Sequence, residues 1–164
     1  MDATTVPQVR FTWNIHYSCN YRCPYCFFDG KWVEYKKRNM YLSVDDWMRY
    51  WDEIYRKYGR SYILITGGEP FIYPDFIELI ERLSQVHYPI NISTNASGDL
   101  ESFVKRIDPC RVSLSVSLQL NSEQSPSNNF LAFSVFSSLS SSSSIDNPNT
   151  SLSSFVKLRV TPYI

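Results

Sequence analysis

The 164-residue sequence lacks an excess of charge of either sign, a long apolar run and any abundance of cysteine. Sixteen lysine and arginine residues balance sixteen aspartate and glutamate residues, so its net charge gives no reason to expect nucleic acid or an anionic membrane as a partner. No apolar run is long enough to cross a bilayer, and no secretory signal opens the chain. We therefore expect a chain of one domain's length, without membrane insertion, in the reducing cytoplasm.

Three of the four cysteines stand in one short stretch, Ser18 to Phe27, which reads SCNYRCPYCF. Cys19, Cys23 and Cys26 follow a strand-like alternation and are spaced as Cys-x3-Cys-x2-Cys. Pro24 lacks a backbone donor and restricts the residue before it, so this stretch is predicted to be an irregular loop. A loop can turn its three thiols towards one centre.

These thiols leave several kinds of site open. Three cysteines cannot all pair with one another, and a structural zinc ion wants a fourth ligand close by. In a four-iron cluster each iron is normally held by one thiolate, so three thiolates leave one iron for a ligand that is not protein. Cys110, the fourth cysteine, follows Pro109 far along the chain and is expected to be a small buried hydrophobic residue. A zinc knuckle or an incidental group of thiols is the alternative to an iron–sulfur centre.

A second motif, TGGEP at residues 66–70, follows a hydrophobic strand predicted over residues 62–65. Its glycine pair lets the backbone adopt positive dihedral angles and come close to a ligand. The cysteine spacing, the aromatic Tyr25 one place before the last cysteine, and this Gly-Gly-Glu motif together resemble the radical S-adenosylmethionine (radical SAM) superfamily. The resemblance extends over about residues 9–118.

By this resemblance Cys19, Cys23 and Cys26 hold a [4Fe–4S] cluster, and the open iron binds the amino and carboxylate groups of S-adenosylmethionine. One electron from the reduced cluster would cleave the sulfonium to methionine and a 5′-deoxyadenosyl radical, which abstracts hydrogen from a substrate. The family implies an electron donor such as flavodoxin or ferredoxin. The substrate is left as an unknown small molecule or a peptide, and no catalytic residue beyond the three cysteines is predicted.

The resemblance also implies which residues bind S-adenosylmethionine. Glu69 and the backbone of Gly67 and Gly68 would hold the methionine amino group. The other candidates are Tyr25, expected beside the adenine, and Ser93, Asn95 and Ser117, expected at the ribose or the carboxylate.

Strand-like and helix-like patterns alternate along the chain, which predicts right-handed crossovers and a parallel sheet. Ser43 is a predicted helix cap with Asp46 as its capping-box acid, and Gly59 ends that helix. The predicted fold class is α/β: a partial (β/α) TIM-like barrel with parallel strands, the radical SAM core, and incomplete. Strands are predicted at residues 9–17, 62–65, 90–95, 112–119 and 156–161, and helices at 43–58, from about 74, and at 100–107.

The composition divides the chain into three segments. Residues 1–120 are predicted to form the radical SAM core with its first four β/α units. Residues 121–155 are a serine-rich, low-complexity segment or a degenerate helix that can supply little core, and residues 156–164 hold a fifth strand. Because the family's core has six strands, we expect a fragment or a carboxyl-terminally aberrant chain. The alternative function is therefore an iron–sulfur binding module or a catalytically inactive remnant.

The later strands alternate between apolar and polar residues, whereas doubly buried parallel strands are usually apolar throughout. If helices cover the apolar face, the polar face lines a wet or ligand-filled barrel interior; the alternative is the solvent-facing side of an open sheet. On the fifth strand, Lys157 and Arg159 share the polar face, and Arg159 is predicted to hold an anionic guest such as the S-adenosylmethionine carboxylate. An exposed edge strand is the alternative there. The other polar positions are Asn91, Ser93, Asn95, Ser113, Ser115 and Ser117.

The aromatic and basic stretch from Phe27 to Tyr41 has no clear period. It is predicted to be either a solvated connection or part of the mouth of the site. These two interpretations differ in whether its aromatic side chains reach the cysteine loop.

Overall fold

The computed structural model of this chain describes residues 9–118 and the backbone of residues 156–160. Within these residues the helices are α1 (Trp32–Lys36), α2 (Val44–Tyr58), α3 (Phe76–Val86) and α4 (Leu100–Arg106), with a 3-10 turn at Pro70–Ile72. The strands are β1 (Arg10–His16), β2 (Tyr62–Gly67), β3 (Ile90–Thr94), β4 (Val112–Leu118) and β5 (Val156–Val160). The predicted serine-rich segment lies outside the described residues.

The strands form one sheet in chain order, β1-β2-β3-β4-β5, and every neighbouring pair is parallel. Parallel neighbours need a crossover connection, and α2, α3 and α4 lie in the connections between the first four strands. Within the described residues the sheet does not close on itself. The predicted α/β fold with a parallel sheet, in keeping with a partial barrel, is confirmed.

Helix α2 begins and ends where the local sequence predicts. The Ser43 side-chain oxygen accepts a hydrogen bond from the Asp46 backbone N–H at 3.1 Å, which satisfies one of the free donors of the first turn. Gly59 follows the last turn with φ of 73°, a conformation that favours glycine. On the apolar face the buried Trp51 meets Trp13 of β1 edge-on, with ring centroids 5.2 Å apart. Capping and packing therefore agree on the placement of this helix.

The core consists of the apolar strand face and the apolar faces of the helices. Fully burying one large apolar side chain there stabilises the fold by about 1.5–3 kcal/mol relative to leaving it exposed. The core thus occupies one side of the sheet; the opposite face is polar on β3 and β4 and carries Tyr62 and Leu64 on β2. The fully buried side chains include Ile63, Ile65, Leu79, Leu83, Ile90, Ile92, Phe103 and Leu114.

The polar face of β3 and β4 is half-buried and internally hydrogen-bonded. The Asn91 amide donates to Ser113 Oγ at 2.9 Å, and Ser115 Oγ donates to Asn91 Oδ1 at 3.0 Å. These bonds join the two strands, so their polar groups are satisfied across the sheet. The predicted alternation of apolar and polar positions is confirmed. The prediction that a ligand fills the space beside this polar face stays a prediction.

Strand β5 pairs with β4 so that Lys157 lies opposite Ser115 and Arg159 lies opposite Ser117. The two basic residues thus occupy the same register positions as the polar face of β4. Their side chains lie outside the described part of the structure, so the role of Arg159 stays a prediction.

Cys110 differs from the sequence-based expectation. It is exposed, so the prediction of a buried hydrophobic residue is wrong. It lies in a surface turn just before β4, where its backbone N–H donates to Asp108 Oδ1 at 2.8 Å. The short helix α1 was not predicted, because five residues carry little periodic signal. Of the helices described, none has the length and apolar character that a bilayer crossing requires.

Candidate functional site

One pocket lies where the carboxyl ends of β2, β3 and β4 meet the loop that follows β1. Parallel strands end at the same edge of a sheet, so residues distant in sequence come together there. Arg159 lies outside the residues whose side chains are described. The pocket is lined by ten of the predicted site residues: Cys19, Cys23, Tyr25, Cys26, Gly67, Gly68, Glu69, Ser93, Asn95 and Ser117.

The glycine pair of the second motif packs directly against the chain entering the cysteine loop. Gly67 has φ of 130°, and a Cβ atom there would lie 2.1 Å from the His16 carbonyl oxygen. A Cβ atom on Gly68 would lie 1.8 Å from the Ser18 carbonyl oxygen. Gly68 N–H donates to the His16 carbonyl at 2.8 Å, and Glu69 N–H donates to the Ser18 carbonyl at 2.9 Å. Only glycine allows this contact, which joins the two motifs through their backbones.

The Glu69 carboxylate is buried, with 1% of the residue exposed. Its Oε1 accepts hydrogen bonds from the Thr94 hydroxyl at 2.6 Å and from the Phe71 N–H at 3.1 Å, and its Oε2 accepts one from the Asn95 N–H at 2.6 Å. Burial raises the pKa of Glu69, and these three donors oppose that rise. The carboxylate is therefore held rigidly at the pocket wall.

His16, which was not predicted to be a site residue, holds the backbone of the Gly-Gly-Glu motif through its side chain. It is 1% exposed, and its Nε2 lies 2.8 Å from the Glu69 carbonyl oxygen. Because a carbonyl only accepts, the ring proton belongs on Nε2, and Nδ1 has no hydrogen-bond partner among the described residues. Burial lowers the pKa of His16, which favours this neutral ring. The bond between its side chain and the Glu69 carbonyl could not be read from spacing alone.

The three cysteines of the loop are half-buried free thiols. The Tyr21 N–H donates to Cys19 Sγ at 3.3 Å, and the Phe28 N–H lies 3.5 Å from Cys26 Sγ. Burial raises the pKa of the Cys19 and Cys23 thiols, and the neighbouring negative groups raise it further. Thiolates gathered here would need a cationic centre to offset their charge, as metal ligation provides.

The donor set can be compared with two kinds of metal centre. Within residues 9–118, no three cysteine, histidine or acidic side chains are arranged to hold a single metal ion. Thiolates on one zinc ion all lie about 2.3 Å from it, whereas the thiolates of a four-iron cluster bind different irons. All three thiols line the same pocket.

The stretch between Phe27 and Tyr41 contributes to the mouth of the pocket. Trp32 of α1 lines the pocket, and the Arg22 guanidinium lies 5.1 Å from the centre of its ring. Phe27, in contrast, is 88% exposed. Both interpretations of this stretch therefore hold in part: Trp32 reaches the site and Phe27 faces solvent. Tyr21, Thr66 and Thr94 also line the pocket, although the sequence analysis assigned them no role.

Comparison with known proteins shows the same family that the two motifs resemble. The sequence model of the family described as the radical SAM superfamily matches residues 13–130. A GTP 3′,8-cyclase of Crocosphaera subtropica is 29% identical over 84 residues, which are 51% of this chain and 25% of that protein. A second GTP 3′,8-cyclase, of Aquifex aeolicus, is 31% identical over 80 residues, 49% of this chain and 25% of that protein.

A further relative carries a different name. A Methanocaldococcus jannaschii protein provisionally named a glycyl-radical enzyme activating enzyme is 38% identical over 79 residues, 48% of this chain and 29% of that protein. The chain thus spans about a quarter of the length of these curated relatives. The residues matched by the family model, 13–130, contain both motifs of the pocket.

Proposed function

Because this chain belongs to the radical SAM superfamily, we propose that it binds a [4Fe–4S] cluster and S-adenosylmethionine and forms part of a radical SAM enzyme. The observation that carries this proposal is the convergence of the two motifs in one pocket, although they are far apart in sequence. The substrate is an unknown small molecule or a peptide. The three free thiols suit the reducing cytoplasm, which we propose as the location.

Cys19, Cys23 and Cys26 are the proposed cluster ligands. When bound, the cluster supplies the electron that cleaves S-adenosylmethionine reductively, giving the 5′-deoxyadenosyl radical that takes hydrogen from the substrate. The loop contributes half-buried sulfurs that already accept backbone hydrogen bonds. It also limits the access of water to the thiols, since all three lie partly under the chain.

Glu69, with the backbone of Gly67 and Gly68, is proposed to hold the methionine amino group. The carboxylate oxygens accept three hydrogen bonds from the protein, which fixes their direction before a ligand arrives. An ammonium group would meet a buried negative charge at the pocket wall and form a charge-assisted hydrogen bond. The hydrogen bond from His16 Nε2 to the Glu69 carbonyl oxygen fixes the backbone that carries this carboxylate.

The remaining predicted contacts concern the adenosine and the carboxylate. Tyr25 is 47% exposed at the pocket and is proposed to lie beside the adenine. Ser93 lies on β3 and Ser117 on the neighbouring β4, and both line the pocket with Asn95. All three are proposed to meet the ribose or the carboxylate. Arg159 shares the register of Ser117 and is proposed to pair with an anionic group.

The partner proposed for this site is a protein electron donor such as flavodoxin or ferredoxin. The alternative is an iron–sulfur binding module or an inactive remnant, which would bind the cluster without cleaving S-adenosylmethionine. The two differ in one product. After anaerobic reconstitution and reduction, 5′-deoxyadenosine should form in the active protein and be absent from a remnant.

The cluster itself is tested first, by iron and sulfide content and by absorption. Three thiolates suit a site-differentiated cube of about four irons and four sulfides. Replacing Cys19, Cys23 or Cys26 with alanine should abolish it, and the exposed Cys110→Ala is the matched control that should retain it. Full cluster content in Cys23→Ala, or its loss in Cys110→Ala, contradicts the ligand assignment.

A further inference from the structure

A closed ring of hydrogen bonds joins the cysteine loop to the turn after β3. Asn95 Nδ2 donates to Asn20 Oδ1 at 3.1 Å, and Asn20 Nδ2 donates to Ser97 Oγ at 2.8 Å. The Ser97 backbone N–H closes the ring by donating to Asn95 Oδ1 at 3.0 Å. Turning the Asn95 amide over would bring two oxygens together at Asn20 and two N–H groups together at Ser97. The ring therefore fixes the orientation of the Asn95 amide.

This orientation leaves one hydrogen of Asn95 Nδ2 outside the ring. Cys19 Sγ lies 3.9 Å from that nitrogen, on a sulfur that also accepts the Tyr21 N–H at 3.3 Å. The backbone of Asn95 is fixed separately, because its N–H donates to Glu69 Oε2 at 2.6 Å. Asn95 is thus held from both its backbone and its side chain with a donor directed at the sulfur.

The ring also controls what Cys19 meets on its other side. Asn20 Oδ1 lies 4.0 Å from Cys19 Sγ, and its lone pairs would repel a thiolate. The donation from Asn95 to that oxygen offsets part of its negative charge. Asn95 therefore acts on the sulfur twice, once directly and once through Asn20.

We propose that Asn95 is a positioning residue whose side-chain amide donates a hydrogen bond to the Cys19 thiolate and so raises the reduction potential of the cluster. This inference rests on the proposed function, and it adds to the predicted contact between Asn95 and S-adenosylmethionine. A hydrogen bond to a ligating sulfur stabilises negative charge, and the cluster carries one more electron when reduced. The bond is therefore stronger in the reduced state, which makes reduction by the electron donor easier.

The test compares midpoint potentials of the reconstituted 164-residue chain, without S-adenosylmethionine, by redox titration followed with EPR. Asn95→Leu keeps the size of the side chain and removes its donors and its polarity. Asn91→Leu is the matched control, because Asn91 lies on β3, just before the turn that holds Asn95, and bonds to Ser113 and Ser115 instead of the cysteine loop. We expect a more negative potential in Asn95→Leu and no change in Asn91→Leu.

The size of the shift in potential and a second variant of the ring complete the test. A tenfold loss of preference for the reduced state corresponds to about 59 mV for one electron. Asn20→Leu removes the repelling Asn20 Oδ1 and leaves the Asn95 amide held by the Ser97 N–H, so its potential should not fall below that of the parent. A shift in Asn20→Leu as negative as that in Asn95→Leu would contradict the direct hydrogen bond from Asn95 as the cause.

A parent-like potential in Asn95→Leu at full iron content overturns the inference. If Asn95→Leu takes up no cluster, Asn95→Ala replaces it, because alanine removes the donor without adding a charge. Its shift must then exceed that of Asn91→Ala, or the inference fails. A parent chain without any cluster overturns the proposed function and this inference together, whereas a loaded parent with unchanged variants overturns this inference alone.

Discussion

Replacing Glu69 with glutamine removes the buried negative charge of the pocket and leaves its shape almost unchanged. The two carboxylate oxygens accept hydrogen bonds from Thr94, Phe71 and Asn95. Glutamine has one oxygen, so it can serve Thr94 and Phe71 together or Asn95 alone. Its amide nitrogen then faces at least one donor. One buried N–H or hydroxyl group therefore loses its acceptor.

The change in folding stability caused by Glu69→Gln has two parts that oppose each other. A buried donor without an acceptor costs about 1–3 kcal/mol of stability. The variant no longer buries a charge, and that burial is the cause of the raised pKa of Glu69, so part of the loss is offset. We expect a net loss of about 1 kcal/mol, which lowers Tm by about 2–4 °C in a chain of this size. Binding of S-adenosylmethionine should weaken about tenfold or more, since a charge-assisted hydrogen bond is worth about 1.5–3 kcal/mol.

The assay combines urea unfolding with equilibrium binding of S-adenosylmethionine to anaerobically reconstituted protein. Glu101→Gln is the matched control, because Glu101 is exposed on α4 and pairs with Lys105 at the surface. Its effect on stability should stay within about 0.5 kcal/mol. Equal affinity for S-adenosylmethionine in Glu69→Gln and in the parent would remove Glu69 from the binding site.

The pH dependence gives an independent check on the same residue. The folded pKa of Glu69 lies above its ordinary value of 4.5, so the folded state binds this proton more tightly than the unfolded state. The stability that Glu69 contributes is thus complete below the unfolded pKa and is lost as the pH rises through the folded pKa. The stability of the parent minus that of Glu69→Gln should therefore decrease with rising pH. A difference that grows with pH would refute the reasoning.

Three other perturbations have defined outcomes. Gly68→Ala would place a methyl group 1.8 Å from the Ser18 carbonyl oxygen, so we expect a loss of about 1–3 kcal/mol in urea unfolding; an unchanged midpoint contradicts this packing. Burial lowers the pKa of His87 from 6.5, so stability should fall as the pH drops below 6.5, and His87→Gln should show a shallower fall; identical slopes would exclude this residue as a cause. Arg159→Met should weaken S-adenosylmethionine binding with little loss of fold, whereas parent-like binding and turnover would identify β5 as an exposed edge.

The local sequence was sufficient for the elements whose signals are short-range. Ser43 and Gly59 define the ends of α2 because a cap needs only the residues of the first or last turn. The alternation through β3 and β4 defines which side chains enter the core, because successive strand residues point to opposite faces. The same alternation could not say that Cys110 is exposed, because exposure in a turn depends on the elements packed around it.

The residues of the pocket could be named from two motifs, but their contacts could not. Cysteine spacing and the Gly-Gly-Glu motif are local patterns, and both occupy the pocket. The bond from His16 to the Glu69 carbonyl spans 53 positions, and the contact of Asn95 with Cys19 spans 76. No local pattern encodes such pairs, because they depend on the parallel register that brings β1, β2 and β3 to a common edge.

By itself, the sequence determined the strand and helix pattern, the family resemblance and the chemical types of the site residues. The tertiary structure alone decided that Glu69 is a buried, three-fold hydrogen-bonded carboxylate, that both glycines are required by contact with the preceding loop, and that Trp32 reaches the mouth of the pocket. The physical reason is that propensity, capping and alternation act over one or two turns of chain. Burial, pKa and hydrogen-bond partners at this site are instead set by groups that only the folded sheet brings within a few ångströms.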